Sequence, residues 1–293
     1  LPDIRFQYSD ETSLHQCQFQ AMASPCQVII EAPKAFDSAA LFKQVSQEAW
    51  RIEHKFSRYR QDNLMFAINQ HKPCELDAET LSLMDFAAQC YELSDGLFDV
   101  TSGVLRKVWA FKTMSSLPHK DQVSQLLPFI GFDKIHRRGS FIQLPTGMEL
   151  DFGGIGKEYA VDKCWQILSE HCPYPFLINF GGDLRVSGTR ANKKAWRTGI
   201  ENPDGQQPTA VIEIKQGAIT TSGTAMQHFT HNGVRYGHIL NPITGWPVKN
   251  PPLSITVAAN TCIEAGLLST LAMLQGENAR NFLEDQGVTF WLQ

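Results

Sequence analysis

The segment Leu150-Asp151-Phe152-Gly153-Gly154-Ile155-Gly156-Lys157-Glu158-Tyr159-Ala160-Val161-Asp162 runs from a strand-like stretch through glycines into a helical pattern. Glycine lets the backbone approach a ligand closely, and a helix start leaves N–H groups free to meet an anion. The segment therefore reads as a ligand loop or as a tight structural turn. Two phosphate motifs fail on it. Glu158 follows Gly156-Lys157 where a P-loop needs Ser or Thr, and the glycine spacing completes no dinucleotide fingerprint.

Three further segments carry groups that could do chemistry. Asn179-Phe180-Gly181-Gly182-Asp183 lies between two strand-like runs and reads first as a hairpin or bulge. Thr220-Thr221-Ser222-Gly223-Thr224 reads as a hydroxyl-rich phosphate loop or as a turn after a strand ending near Ile214. In His238-Ile239-Leu240-Asn241-Pro242-Ile243-Thr244-Gly245 an imidazole stands a few residues before a Pro and Gly turn. Histidine exchanges protons near neutral pH, although a lone histidine serves equally as a structural hydrogen-bonding group.

These segments need elements to hold them. Apolar residues from Ala39 to Phe56 recur at spacings of three and four, the period of a helix with one buried face. Asp77 is placed to cap a second helix carrying Leu81, Met84, Ala88 and Tyr91, with Gly96 opening a loop. A third helix starts near Gly154 and closes before Pro173, and a fourth runs from Cys262 to about Leu274 and resumes after Gly276. Strands are expected at Gln18 to Glu31, Phe176 to Phe180, Leu184 to Ser187, Val211 to Ile214 and Leu253 to Val257. No sustained strand-helix-strand rhythm appears, so the expected class is α+β, a mostly antiparallel sheet packed by several long helices. One domain spanning 1–293 is expected, with a sub-lobe boundary near residue 145, by Pro145 and Gly147.

Composition sets outer limits. With 43% hydrophobic and 19% charged residues the chain is that of an ordinary globular protein. A net charge of −4 and no long Lys/Arg run argue against a nucleic-acid partner. No apolar run is long enough for a membrane span. Seven cysteines form no C-x-x-C pair, and an odd number leaves at least one thiol unpaired; most are expected to be small buried apolar residues.

Taken in order, these pieces resemble the motif series of the ApbE-like FAD:protein FMN transferases, from about Met22 to Gly276. The resemblance rests on Met22-Ala23-Ser24, Phe56-Ser57-Arg58-Tyr59, Asn69, Gly96-Leu97-Phe98-Asp99-Val100-Thr101, Asp151 to Asp162, Asn179 to Asp183, Ser222-Gly223, His238 to Gly245 and Glu264 to Thr270. It implies binding of FAD, a magnesium ion on the diphosphate, and passage of FMN to a threonine hydroxyl of an acceptor redox protein with release of AMP. It also implies His238 as base, and Thr270 with the carbonyl of Gly156 facing the metal. Met22, Tyr59, Phe98, Asp99, Lys157, Asp183, Ser222, Gly223 and Thr244 are implied to frame the flavin nucleotide. The family is commonly exported or lipid-anchored, so the resemblance implies a periplasmic or membrane-anchored protein. The unpaired cysteines lean instead toward a reducing compartment, and the two leave localisation open.

The sequence also departs from the pattern. Ala-Asp-Ala-Leu-Ala/Ser-Thr appears as Ala265-Gly266-Leu267-Leu268-Ser269-Thr270, which puts Gly266 where a magnesium-binding aspartate would stand. Glu264, two positions along the helix, points away from that site. Glu158 stands where glycine is usual, a negative charge expected to be unfavourable beside an anion site unless Lys157 or solvent offsets it. Thr224 replaces a common acidic residue, and Gly156 a common alanine. Two rivals stand beside transfer: a protein that holds FAD without transferring FMN, which Gly266 favours, and a metal-dependent FAD pyrophosphatase, which requires the metal as transfer does. A purely structural module is a third.

Overall fold

The computed structural model describes residues 3–111, 113–200, 209–224 and 228–293. The first half contains β1 (Arg5–Ser9), β2 (Leu14–Ala21), β3 (Ser24–Glu31), α1 (Ala39–Phe56), α2 (Leu64–Ile68), β4 (Cys74–Glu75), α3 (Ala78–Leu93), α4 (Lys120–Ser124), β5 (His136–Arg138) and β6 (Phe141–Gln143). Then follow α5 (Gly156–His171), β7 (Phe176–Phe180), β8 (Asp183–Val186), β9 (Trp196–Ile200), β10 (Ala210–Ile214) and β11 (Gly217–Gly223). The C-terminal part adds β12 (His228–His231), β13 (Val234–Gly237), β14 (Ser254–Ala259), α6 (Cys262–Leu274), α7 (Ala279–Asp285) and β15 (Thr289–Leu292).

Eight strands form one sheet in the order β1-β2-β3-β7-β8-β11-β14-β15, with every neighbouring pair antiparallel. The α+β reading is therefore correct. Alternation along the strands sorts the sheet's two faces. Cys17, Phe19, Ala21, Cys26, Val28 and Ile30 are buried beneath α1 and α5, while Gln16, Gln18, Gln20 and Gln27 point the other way. Leu41, Phe42, Val45, Ala49, Ile52 and Phe56 make the buried stripe of α1. On the opposite face the β9–β10 hairpin lays Trp196, Ile200, Ile212 and Ile214 over Leu177, Leu184, Val186 and Ile219. A cleft of about 950 Å³ opens beside this layer, lined in part by Ser24, Asn179, Gly181, Gly182, Thr221 and Gly223.

Two expectations change. Gln18 to Glu31 is a hairpin rather than one strand: Met22 and Ala23 take φ of 52° and 54° and turn the chain between β2 and β3. A two-residue turn with positive φ at both central residues is usually supplied by Asn and Gly, and neither is present to announce it. Thr220 to Gly223 lies within β11, paired to β14, rather than in a loop or turn. Two of its polar side chains have partners on the flanking elements, Thr221 Oγ1 at 2.8 Å from Thr256 Oγ1 and Ser222 Oγ on α6, while the buried Thr220 hydroxyl has none among the described residues.

Helix ends follow local chemistry. Asp77 does cap α3, accepting from the Thr80 N–H at 2.9 Å. Thr261 caps α6 by accepting from the Glu264 N–H. All seven cysteines are free, and Cys17, Cys26, Cys90, Cys164 and Cys262 are buried, as expected of small apolar residues. Burial pushes the Cys17 thiol up to about 12. Among the described residues, no helix is long and apolar enough to cross a membrane.

Candidate active site

The glycine segment leads into α5. Asp151 accepts from the Gly153 N–H at 2.9 Å and pairs with Arg58, which fixes the approach to the helix. Phe98, buried, lies under Gly154 with its ring 3.6 Å from where a β-carbon would be. Gly156 begins α5 in open space, with no atom within 4 Å of a β-carbon placed on it.

Next to this helix start stands the β7–β8 hairpin. Gly181 and Gly182 take φ of 58° and 99°, the left-handed region that suits glycine. Ser24, from the β2–β3 turn, closes on Gly181 so tightly that a β-carbon there would lie 2.7 Å from the serine side chain. Met22, two residues earlier, is instead partly buried and packs against the main core. Lys157 reaches across: its Nζ lies 2.9 Å from Asp183 Oδ2 and donates to the Gly181 carbonyl at 3.4 Å. Burial works against the lysine's charge, but the attraction of Asp183 outweighs it and raises its pKa. Asp183 is itself raised, since its burial outweighs the pull of Lys157.

Glu158 does not face open solvent beside an anion. It turns inward between α5 and α6, where its Oε2 is shut off from water and has no hydrogen-bond partner. Burial first, and repulsion from Asp183 second, push its pKa up to about 8. A β-carbon placed on Gly266 would lie 2.6 Å from Glu158 Cγ and 2.9 Å from its Oε1. Glu264, by contrast, is exposed and accepts from the Asn260 N–H at 3.2 Å.

One turn beyond Gly266, the hydroxyls of α6 meet β11. Ser222 Oγ is 2.8 Å from Ser269 Oγ and 3.2 Å from Thr270 Oγ1. Asp162 locks the two helices in register: it accepts from the N–H groups of Cys262 and Ile263, each at 3.0 Å, and pairs with Arg185 at 2.7 Å. The carboxylate thus caps α6 from α5, satisfying donors that a helix start leaves open.

His238, half-buried, follows directly on β13. The preceding Gly237 packs against the Thr224 side chain, which leaves no room for a β-carbon and brings the histidine's segment to the end of β11. Beyond it, Asn241 Oδ1 accepts from the N–H groups of Ile243 and Thr244 at 2.9 and 3.1 Å, and Trp109 Nε1 donates to the Gly245 carbonyl at 2.8 Å. Thr244 is exposed on this turn.

The remaining expected residues sit further out or further in. Tyr59 is 78% exposed, its hydroxyl accepting from Arg58 at 2.8 Å. Asp99 is buried and occupied: in its own loop it accepts from the Thr101 N–H and hydroxyl at 2.8 and 2.7 Å, and from a distant segment it accepts from the Phe132 N–H at 3.2 Å. The structure therefore gathers Gly156, Lys157, Asp183, Ser222, Gly223 and Thr270 around the meeting of α5, α6 and the glycine hairpin, while Met22 packs against the core. Tyr59, Phe98, Asp99 and Thr244 lie on the flanking loops. Sequence reasoning missed Ser269 and Asp162 as positioning groups and the inward turn of Glu158. The i, i+3, i+4 spacing of Gly266, Ser269 and Thr270 was the one signal that these share a face.

Among the described residues no three His, Cys, Asp or Glu side chains converge as a metal site. The oxygens gathered here are mixed instead: the carboxylates of Glu158 and Asp183, the hydroxyls of Ser222, Ser269 and Thr270, and the backbone of the first turn of α5.

Fold and site together define a class: α+β proteins in which a glycine hairpin of the antiparallel sheet meets the start of a helix. The chain belongs to the ApbE family, whose model matches residues 22–292. The FAD:protein FMN transferase of Vibrio cholerae is 29% identical over 258 residues, spanning 85% of this chain and 77% of that protein. That of Treponema pallidum is 28% identical over 271 residues, spanning 85% and 75%. The crystal structure of the ApbE protein from Thermotoga maritima matches with a TM-score of 0.86 at 28% identity, covering 95% of this chain and 94% of that one.

Proposed function

We propose that this chain is an FAD:protein FMN transferase, which moves FMN from FAD to a threonine hydroxyl of an acceptor redox protein and releases AMP. The observation that carries this reading is convergence: the helix start at Gly156, the glycine hairpin ending at Asp183, the end of β11 at Ser222 and the hydroxyl face of α6 meet at one corner of the fold, joined by the Lys157–Asp183, Ser222–Thr270 and Glu158–Gly266 contacts. The family match and the transferases named above support it.

In this reading the diphosphate of FAD lies against the start of α5, where backbone N–H groups and Lys157 receive its charge. Asp183 holds Lys157 in place and keeps it charged. Ser222 and Gly223 shape the pocket wall, and the exposed Tyr59 ring and Thr244 offer an aromatic face and a hydroxyl at its rim. Phe98 and Asp99 support the loop beneath the glycines. The threonine oxygen of the acceptor forms a new bond to the FMN phosphorus, the P–O bond to AMP breaks, and the threonine proton passes to the His238 imidazole.

Magnesium suits the oxygen donors present, since it takes hard oxygen ligands, and the orphaned Glu158 Oε2 marks an oxygen without a donor in the protein. The Gly156 carbonyl and the Thr270 hydroxyl would hold the ion. When bound, it supplies positive charge to the diphosphate and to the departing phosphate.

The test is to incubate the protein with FAD, magnesium chloride and an acceptor domain carrying the target threonine, and to follow AMP and the flavin mass on the acceptor. Covalent FMN on the threonine is expected. AMP with free FMN would mean hydrolysis, and intact bound FAD a protein that only holds it. His238→Ala should keep FAD affinity and lower transfer by about 10²–10⁴-fold, the usual worth of a general base; undiminished transfer would remove His238 from that role.

A further inference from the structure

Two departures from the family pattern, Glu158 for glycine and Gly266 for aspartate, touch each other in space. A side chain at 266 would have its β-carbon 2.6 Å from Glu158 Cγ and 3.0 Å from Cδ, so the Glu158 carboxyl group fills the room that a residue-266 side chain would need. Gly266 lies inside α6, where glycine is unfavourable relative to alanine and calls for a packing reason. Glu158 is that reason.

We propose that Glu158 supplies the carboxylate of the magnesium site in place of the aspartate absent at 266, the ligand having moved from α6 across to α5. Two observations converge on Glu158, a first-turn residue of the helix that Gly156 opens. It lies over Gly266, and Thr270 follows at i+4 on the same face of α6. Its Oε2 is closed to water and has no hydrogen-bond partner, an arrangement that leaves a carboxylate oxygen for a cation rather than for the protein. Glu264, the nearest acid in sequence, is committed to the Asn260 N–H and exposed.

The inference rests on the reading of the pocket as a magnesium-assisted FAD site, and its test separates the two. Manganese binding is measured by electron paramagnetic resonance on the FAD-loaded protein, with magnesium as competitor. FAD affinity is followed by flavin fluorescence. Glu158→Gln, which keeps shape and removes charge, should retain FAD and weaken manganese binding about tenfold or more, as loss of a charged oxygen ligand requires. Gly266→Asp alone should also weaken it, because two side chains then contend for one space. The exchange Glu158→Gly with Gly266→Asp should bring manganese affinity back to within about threefold of the parent, the carboxylate having returned to the opposite helix. Parent-like manganese affinity in Glu158→Gln, an exchange variant no tighter than Glu158→Gln, or no manganese binding by the parent overturns the inference. FMN transfer by the parent in any of those cases leaves the functional reading standing. A parent that binds no FAD overturns both.

Discussion

Lys157 and Asp183 show how much of this pocket depends on single charges. The aspartate is 2% exposed and the lysine is partly open to solvent, so neither is cheaply left alone. Removing one partner of a buried pair costs more than the pair contributes, because the other charge stays behind. Asp183→Asn should therefore destabilise the protein by about 2 kcal/mol, below the usual range because Lys157 can turn toward water. Urea denaturation measures it. Replacing both, as Lys157→Met with Asp183→Leu, should cost less than Asp183→Asn alone; an equal or larger loss would show that the attraction itself is the main stabilising effect. The same lysine was legible in the sequence as a charge beside glycines. Its partner was legible only as a residue ending a hairpin, since nothing in spacing says which side chains meet across two elements.

At the scale of elements, α1, α3 and α5 are tied by one carboxylate. Glu79 of α3 accepts from Arg51 at 2.6 and 2.8 Å, pairs with Lys55, and accepts from the Tyr159 hydroxyl of α5 at 2.9 Å. Burial alone would raise its pKa, but these hydrogen bonds outweigh it and bring Glu79 down to about 2. The folded pKa lies below the unfolded value, so the clamp's contribution is fully present above the unfolded carboxylate pKa of about 4.3 and is lost as pH falls from there through about 2. Glu79→Gln should remove that part of the acid-side slope and cost about 2 kcal/mol near neutral pH, a figure reduced for the solvent screening of Arg51. Stability measured from pH 7 to pH 2 checks it, and an unchanged acid slope would place the effect elsewhere. The helices of this clamp could be read from periodicity, but the clamp itself could not. Ser222 and its neighbours were misread because hydroxyl-rich sequence suits a loop as well as a strand whose side chains find partners on β14 and α6.

The molecule as a whole hangs on the sheet face beneath the helices. The largest core cluster draws residues from Cys17 to Leu274 into one body of contacts, and Phe180 is fully buried at its centre, edge-on to Phe19 with ring centroids 5.7 Å apart. Phe180 also ends β7, immediately before the glycine hairpin. Phe180→Ala should cost about 3–5 kcal/mol through lost burial and a cavity that the close-packed sheet cannot collapse, with a lower thermal midpoint. A loss under about 1 kcal/mol would mean that the face repacks around the gap.

Sequence by itself determined the helices α1, α3, α5 and α6, the α+β class, the burial of most cysteines and the order of motifs that marks the ApbE family. Each of these is written in local periodicity, capping residues or linear order, which need no partner to be recognised. Tertiary structure decided the rest: the turn at Met22–Ala23, the strand at Ser222, the capping of α6 by Asp162, and the meeting of Glu158 with Gly266. That last contact joins two positions each of which, taken alone along the chain, looked like a defect. Burial, repulsion and the room left by an absent side chain depend on what stands opposite in space, and the chain's order does not record it.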